Sequence, residues 1–223
     1  MTARRITNHG YQKRIGKFPS LKMGRMVWWE SPVERDYIHL LEPDGAVSFY
    51  KEQPLKIHFI LDGKEYFYTP DFLVRRAHKI QIVEVKPEKK IHCEENQRRF
   101  SAASRACSQC GYEFVVATDV RIRVQPRLDN IKSFWKYSRT PLNHPRYNLY
   151  CKELFSWRSE LAVGELLPLL NSKGITIRAF YALLYWGVLR VDLMKQFNKD
   201  SVISLPDAAS YTEREALNAG IQI

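Results

Sequence analysis

Apolar and polar positions follow two different rhythms along this 223-residue chain, and the change of rhythm divides it. Period-two runs dominate the first half. Leu55, Ile57, Phe59 and Leu61 fall on one face of a strand, and Asp62-Gly63 after them is a hairpin turn. Ala46 to Glu52 alternates loosely, and Glu65 to Thr69 continues through Pro70-Asp71 into Phe72-Leu73-Val74. Ile80 to Lys86 is apolar at most positions and predicts a central strand, closed by Pro87. Tyr112 to Ala117 predicts another buried strand, and Val120 to Val124 one more. Two stretches carry the helical period. Ser31-Pro32-Val33-Glu34 opens a helix with Ser31 as N-cap, Pro32 at the first helical position and Glu34 three residues on. Val33, Tyr37, Leu40 and Leu41 form its apolar face, and Pro43-Asp44-Gly45 ends it. Glu94 to Gln109 is the second helix, with Phe100, Ala103 and Cys107 inward and Gly111 as the stop. The predicted order is α-β-β-β-α-β.

Beyond Pro126 the pattern turns helical, over 128–137, 148–156, 159–171 and 176–186. Val188 to Val191 and Ser201 to Leu205 are short strand candidates. Helices followed by a small β ribbon predict a winged-helix-like module. The expected organisation is a basic arm (1–26), an α/β domain (27–126), the helical module (127–205) and a tail (206–223). Aromatics of the second half (Trp135, Tyr137, Trp157, Phe180, Tyr181, Tyr185, Trp186) recur at helical spacing, which favours a core over base stacking.

Composition narrows the function classes. With 45% hydrophobic and 26% charged residues the chain belongs with folded proteins. The longest apolar run, Ala179 to Leu189, is too short to span a bilayer. The N-terminus has positive charge with no apolar stretch after it, unlike a secretory signal. Net charge is +11, and residues 1–29 contain seven Lys/Arg and no acid. A basic chain without a membrane helix points to nucleic acid, because cationic side chains displace counterions from phosphates. Lys13, Arg14, Lys17, Lys22 and Arg25 are the candidate phosphate contacts. Four cysteines fit reduced thiols in a cytosolic protein. Cys107-Ser-Gln-Cys110 has the spacing of a zinc knuckle or redox pair, with Cys93 and His92 as possible further ligands. Within a helix such spacing is more often packing.

The candidate chemistry lies in the strand block. Asp71 begins a strand after Pro70. Glu84 and Lys86 are two apart on the next, so their side chains share a face. A charged pair at the end of an otherwise apolar central strand is costly unless that end opens onto a site. Adjacent strands bring Asp71 and Glu84 close enough to hold one hard cation, Mg²⁺ or Mn²⁺, with Lys86 beside it to orient water and neutralise phosphate charge. Taken alone, Glu-x-Lys is a solvated salt bridge. By residue pattern alone, Glu34 is the third helical position of a capping box.

Pro70-Asp71…Glu84-Val85-Lys86 resembles the PD-(D/E)XK nuclease signature, and the α-β-β-β-α-β order is similar to that restriction-endonuclease-like core. Ser31-Pro-Val-Glu34, Val47-Ser-Phe-Tyr-Lys-Glu-Gln53-Pro54, Tyr68-Thr-Pro-Asp71-Phe-Leu-Val and Ile82-Val-Glu84-Val-Lys86 resemble the TnsA family, endonuclease subunits of heteromeric cut-and-paste transposases. The resemblance spans about residues 10–125 and includes the basic run Arg14 to Ser20. It implies that Glu34, Asp71, Glu84 and Lys86 are catalytic. Glu34, Asp71, Glu84 and the Val85 main-chain carbonyl become the metal ligands. It also implies Mg²⁺- or Mn²⁺-dependent cutting of the 5′, non-transferred strands of double-stranded transposon ends, beside a TnsB-like transposase and a TnsC-like AAA+ ATPase in a bacterial cytoplasm. A C-terminal winged-helix-like domain is implied too, and the tail is a candidate ATPase contact. Gln53-Pro54 is read as a strand end without assigned chemistry, and Gln97 as exposed. The rival readings are a stand-alone restriction or repair nuclease, and a DNA-binding adaptor whose acids are structural.

Overall fold

The computed structural model describes residues 14–77, 79–142, 146–206 and 221–222. In chain order these form β1 (Gly16–Ser20), β2 (Arg25–Trp29), α1 (Pro32–Leu41), β3 (Val47–Glu52), β4 (Ile57–Leu61), β5 (Lys64–Tyr68), β6 (Phe72–Arg76) and β7 (Lys79–Lys86). Then come α2 (Glu88–Ile91), α3 (Glu94–Gln109), β8 (Glu113–Thr118), α4 (Asp119–Ile122), α5 (Arg127–Trp135), α6 (Arg146–Trp157), β9 (Glu160–Ala162) and α7 (Val163–Ser172). The last are α8 (Ile177–Tyr185), β10 (Arg190–Val191), β11 (Val202–Ser204) and β12 (Ile221–Gln222). The chain passes from one compact unit to a second between Arg123 and Val124.

The first unit is built on a mixed sheet ordered β12-β8-β7-β6-β3. Its central strand, β7, is buried from Gln81 through Val85. β7 pairs antiparallel with β6 and parallel with β8, so both of its edges are covered. One face packs on α3 and the β4–β5 hairpin through Ile57, Phe59, Ile82, Phe100, Ala103 and Phe114. On the other face α1 lies against the sheet, with Tyr37 5.6 Å from Phe72. The core is therefore α1-β3-β6-β7-α3-β8, the predicted order, with the β4–β5 hairpin inserted as a separate two-stranded ribbon. Asp62 and Gly63 at its tip both have positive φ (52° and 72°), the geometry of a tight two-residue hairpin loop.

Three local expectations change. The arm expected over 1–26 contains a strand pair from Gly16. Phe18 pairs with Val27, both are buried, and Phe18 sits edge-on to His39 of α1 at 4.9 Å. What pins this hairpin is distant in sequence. The fully buried Glu42 carboxylate accepts from Ser20 Oγ (2.5 Å), Tyr50 Oη (2.6 Å), Leu21 N (3.1 Å) and Lys22 N (3.4 Å). Val120 to Val124, expected as a strand, begins as the helical turn α4, because Thr118 Oγ1 accepts from Arg121 N. The tail lies mostly outside the described residues, but β12 pairs antiparallel with β8, Ile221 opposite Val116.

The second unit holds α5 to α8 and an antiparallel sheet ordered β10-β11-β9. Residues 160–162, expected within a helix, form β9, because Leu161 pairs with Ile203 and both are buried. Helix α7 starts at Val163. Phe180 and Tyr185 are buried, and Tyr181 stacks on Tyr137 at 4.7 Å, so these aromatics are core. Trp157 is the exception, at 91% exposure. No helix among the described residues is long and apolar enough to cross a membrane.

Two of the four cysteines are packed into the interior. Cys107 is buried in the α3 core, where burial pushes its thiol up to about 11, and Cys110 and Cys93 are exposed. Cys151, also buried, is likewise pushed up to about 11. A thiol reagent applied to the native protein at pH 7.5 is therefore expected to modify Cys93 and Cys110 rapidly, and Cys107 and Cys151 only after denaturation. Peptide mapping of the labelled protein checks this.

Candidate active site

Strand register brings the acids together. Phe72 lies opposite Val83 in the antiparallel β6–β7 pair. Continuing that ladder one residue back places Asp71 across from Glu84, on the same face. The Val85 N–H donates to Asp71 Oδ2 at 2.7 Å, which holds the carboxylate against the end of β7. Lys86 Nζ donates to Glu84 Oε1 at 2.8 Å. Glu34 comes from the first turn of α1. Its Oε2 accepts from Glu30 N (2.7 Å) and its Oε1 from Ser31 Oγ (2.8 Å), while Ser31 Oγ caps Glu34 N (3.2 Å). Glu34 thus secures the helix start in addition to facing the site. All four side chains line one cleft of about 860 Å³, together with Glu30, Lys56, Phe67, Tyr68, Lys90 and Arg99.

The electrostatics report crowding of like charge. Desolvation holds the Asp71 carboxyl well above its usual range, and the charges of Glu84 and then Glu34 add to it. Glu34 is raised by desolvation first, with Glu30 and Glu84 contributing. The Tyr68 hydroxyl is raised by desolvation and then by Glu84. It is buried without an acceptor at full hydrogen-bond geometry, and Glu84 is the carboxylate within reach of it.

Among the described residues no three His, Cys, Asp or Glu side chains stand in ready metal-ligating geometry. Asp71 Oδ2, Glu84 Oε1 and both Glu34 oxygens are engaged by protein donors. Asp71 Oδ1 and Glu84 Oε2 take part in none of these bonds. Three desolvated carboxylates that raise one another's proton affinity are the donor set a hard divalent cation neutralises. The residues present fit such an ion chemically, with Glu84 Oε2 outside the contact to Lys86.

Residues 44–119 match the family model described as TnsA-like endonuclease N terminal. Over these residues the chain is similar to TnsA-like endonucleases. No curated protein sequence matches the chain. The TnsA-like segment contains Asp71, Glu84, Val85 and Lys86. Glu34 lies ahead of it, and its place rests on the cleft geometry.

The sequence-predicted phosphate contacts are scattered. Arg14 lines the cleft. Lys17 Nζ sits 4.4 Å over the Trp28 ring. Lys22 Nζ donates to the carbonyls of Leu41 (2.9 Å) and Val47 (2.7 Å). Arg25 forms a fork to Glu52 at 2.7 and 2.5 Å. Lys13 lies outside the described residues.

Sequence reasoning marked Gln53-Pro54 as resembling a family feature near the site and assigned it no chemistry. Its N–H donates to the Asp71 carbonyl (2.8 Å) and its Nε2 to Glu30 Oε1 (2.9 Å), and the Glu30 N–H holds Glu34. Gln53 therefore ties the two acid-bearing segments of the TnsA-like site to each other. It does so at φ 41°, a strained conformation for a residue other than glycine, and strain of this kind clusters at functional sites. The sequence carried no such signal, since a residue before proline favours extended backbone. Gln53→Ala is expected to slow cleavage about tenfold, a loss of about 1.4 kcal/mol in the transition state, and to leave DNA affinity unchanged. Single-turnover rates and a binding titration on the same substrate check it.

Proposed function

We propose that the chain cuts the 5′, non-transferred strands at transposon ends, hydrolysing a DNA phosphodiester with Mg²⁺ or Mn²⁺ and acting beside a TnsB-like transposase and a TnsC-like AAA+ ATPase. The observation that carries this is the cross-strand placement of Asp71, Glu84 and Lys86 inside the segment similar to TnsA-like endonucleases. Asp71, Glu84, the Val85 carbonyl and Glu34 are the residues that would hold the ion. When bound, the ion lowers the pKa of a coordinated water and neutralises charge on the attacked phosphate.

The chain's own groups supply the rest. Asp71 lines the cleft and is held in place by the Val85 N–H, so its carboxylate needs little further ordering. Lys86 is the cation nearest Glu84. Once released from that carboxylate it orients the attacking water and stabilises the extra negative charge as the new P–O bond forms and the scissile one breaks. Glu34 adds negative charge at the head of α1.

The second unit supports a winged-helix reading. Three helices (α6, α7, α8) accompany a small antiparallel sheet, β10-β11-β9, in which the strand before α7 joins the ribbon that follows α8. Such a module fits contact with DNA or with the partner ATPase.

The test is a strand-specific end-cleavage assay with the partner transposase. Wild-type chain in Mg²⁺ should cut the 5′ strand. EDTA or Lys86→Ala should remove that cut by about 10²-fold or more, leaving the partner's 3′ cut intact. Undiminished 5′ cutting by Lys86→Ala rejects the site. Efficient cutting by this chain without its partner favours a stand-alone nuclease instead.

A further inference from the structure

We infer that the DNA backbone seats on the rim of the acidic cleft, on Arg14, Lys56, Lys90 and Arg99, with the Phe67 ring wedged against the nucleotide beside the cut. This rests on the nuclease reading and keeps Arg14 alone of the described candidates in the basic N-terminal segment. The first argument is availability of charge. Lys17, Lys22 and Arg25 are held by an aromatic face, two carbonyls and a carboxylate within the protein. A phosphate must displace those partners before it gains anything. Lys56 and Lys90 are exposed, and their ammonium groups make no hydrogen bond or ion pair among the described residues. Arg99 has only an exposed pair with Glu95 at 3.8 Å, a contact worth a few tenths of a kcal/mol at most.

The second argument is location. All five residues line the same cleft as Asp71, Glu84 and Lys86. Without a ring of cations, three carboxylates at its floor repel the phosphate they must attack. Arg99 acts deep enough to offset part of the rise at the Tyr68 hydroxyl, next to Glu84.

The third argument is the hairpin. Its inner face is buried through Ile57 and Phe59, whereas Phe67 is 68% exposed at the cleft edge. His58 stacks on that ring at 4.9 Å and 28°. An apolar side chain exposed among cations fits a DNA groove, where such wedges pack against base steps. The arrangement favours duplex DNA over a protein partner, because four cations line the same cleft as the ring and the ion pair of Arg99 with Glu95 is exposed.

The experiment is anisotropy of a labelled 30-bp duplex with the full chain, without divalent metal, over about 50–200 mM salt. Each phosphate contact contributes about 0.9 to the slope of log K against log salt. Lys56→Ala/Lys90→Ala/Arg99→Ala should therefore reduce the slope by about 2.7 and weaken binding by more than about tenfold at 100 mM. Phe67→Ala should weaken binding about tenfold at unchanged slope. Lys79→Ala, an exposed charge at the far end of β7, should change neither. Melting curves confirm that the variants fold.

A triple variant with wild-type slope overturns the seat, as does absence of duplex binding by wild type at 50 mM salt. So does a triple variant that loses transposase binding while keeping DNA binding. If the triple variant retains the wild-type slope while the wild type shows metal-dependent 5′ cutting, the seat fails and the nuclease reading stands. If the slope drops but wild-type cutting ignores EDTA, the nuclease reading fails instead.

Discussion

Asp71→Asn is expected to abolish strand cleavage, by about 10³-fold or more, while raising the melting temperature of the metal-free protein. The two effects share a cause. Asp71 is desolvated and faces Glu84 and Glu34, so ionising it costs free energy in the folded state. Asparagine keeps an oxygen for the Val85 N–H and removes the repulsion. It also removes the charge a divalent cation needs. The pH dependence follows from the direction of the shift. A carboxyl whose folded pKa lies above its unfolded value contributes stability that is fully present below the unfolded pKa. That contribution is lost as pH rises through the folded one. Glu34 is raised as well and acts in the same sense. Wild-type protein in EDTA should therefore lose stability from about pH 4 upward relative to Asp71→Asn. Mg²⁺ should restore it at neutral pH by binding the folded state, and should do little for the variant. Melts at pH 5 and pH 8, with Mg²⁺ and with EDTA, measure all of this. Residual 5′ cutting near the wild-type rate, or a melting temperature below wild type in EDTA, contradicts it.

Glu42→Ala is expected to destabilise the first unit by about 3–5 kcal/mol, without any direct role in chemistry. Glu42 is 0% exposed and gathers two hydroxyls and two main-chain N–H groups from two segments, residues 20–22 and Tyr50. Truncation leaves Ser20 Oγ, Tyr50 Oη and the two N–H groups without that acceptor in a space too tight for free hydration. The β1–β2 hairpin should then loosen from α1, whose other end carries Glu34. Urea denaturation should show a lower midpoint at nearly constant slope. Cleavage should be lost only where the folded fraction is lost. A shift below about 1 kcal/mol would mean the site repacks or hydrates, against this burial.

The meeting of Asp71 with Glu84 and Lys86 was legible because it is encoded locally. Period two puts Glu84 and Lys86 on one face, and Pro70 marks where Asp71 enters the neighbouring strand. What escaped depends on pairs far apart in the chain. Gly16 to Trp29 offers only Phe18 and Val27 as an inward pair. Its hairpin becomes visible once Glu42 and Glu52, more than 20 residues on, supply acceptors. Leu161 reads as the start of a helix until Ile203 is brought opposite it. Gln53 escaped for a different reason, since its backbone conformation runs against what its proline neighbour favours. Sequence counts the charges of the N-terminal segment but does not reveal the partners that Lys17, Lys22 and Arg25 have within the protein.

The β4–β5 ribbon leaves the sheet between two strands that are partners of each other, Glu52 opposite Phe72. Its entry and exit points are adjacent rungs, so its length can change without shifting a single pairing in β3, β6 or β7. Evolution can therefore treat this finger as an interchangeable cassette. Exchanging it between relatives would reshape the cleft edge at Phe67 while the β6–β7 pairing that sets Asp71 across from Glu84 stays as it is.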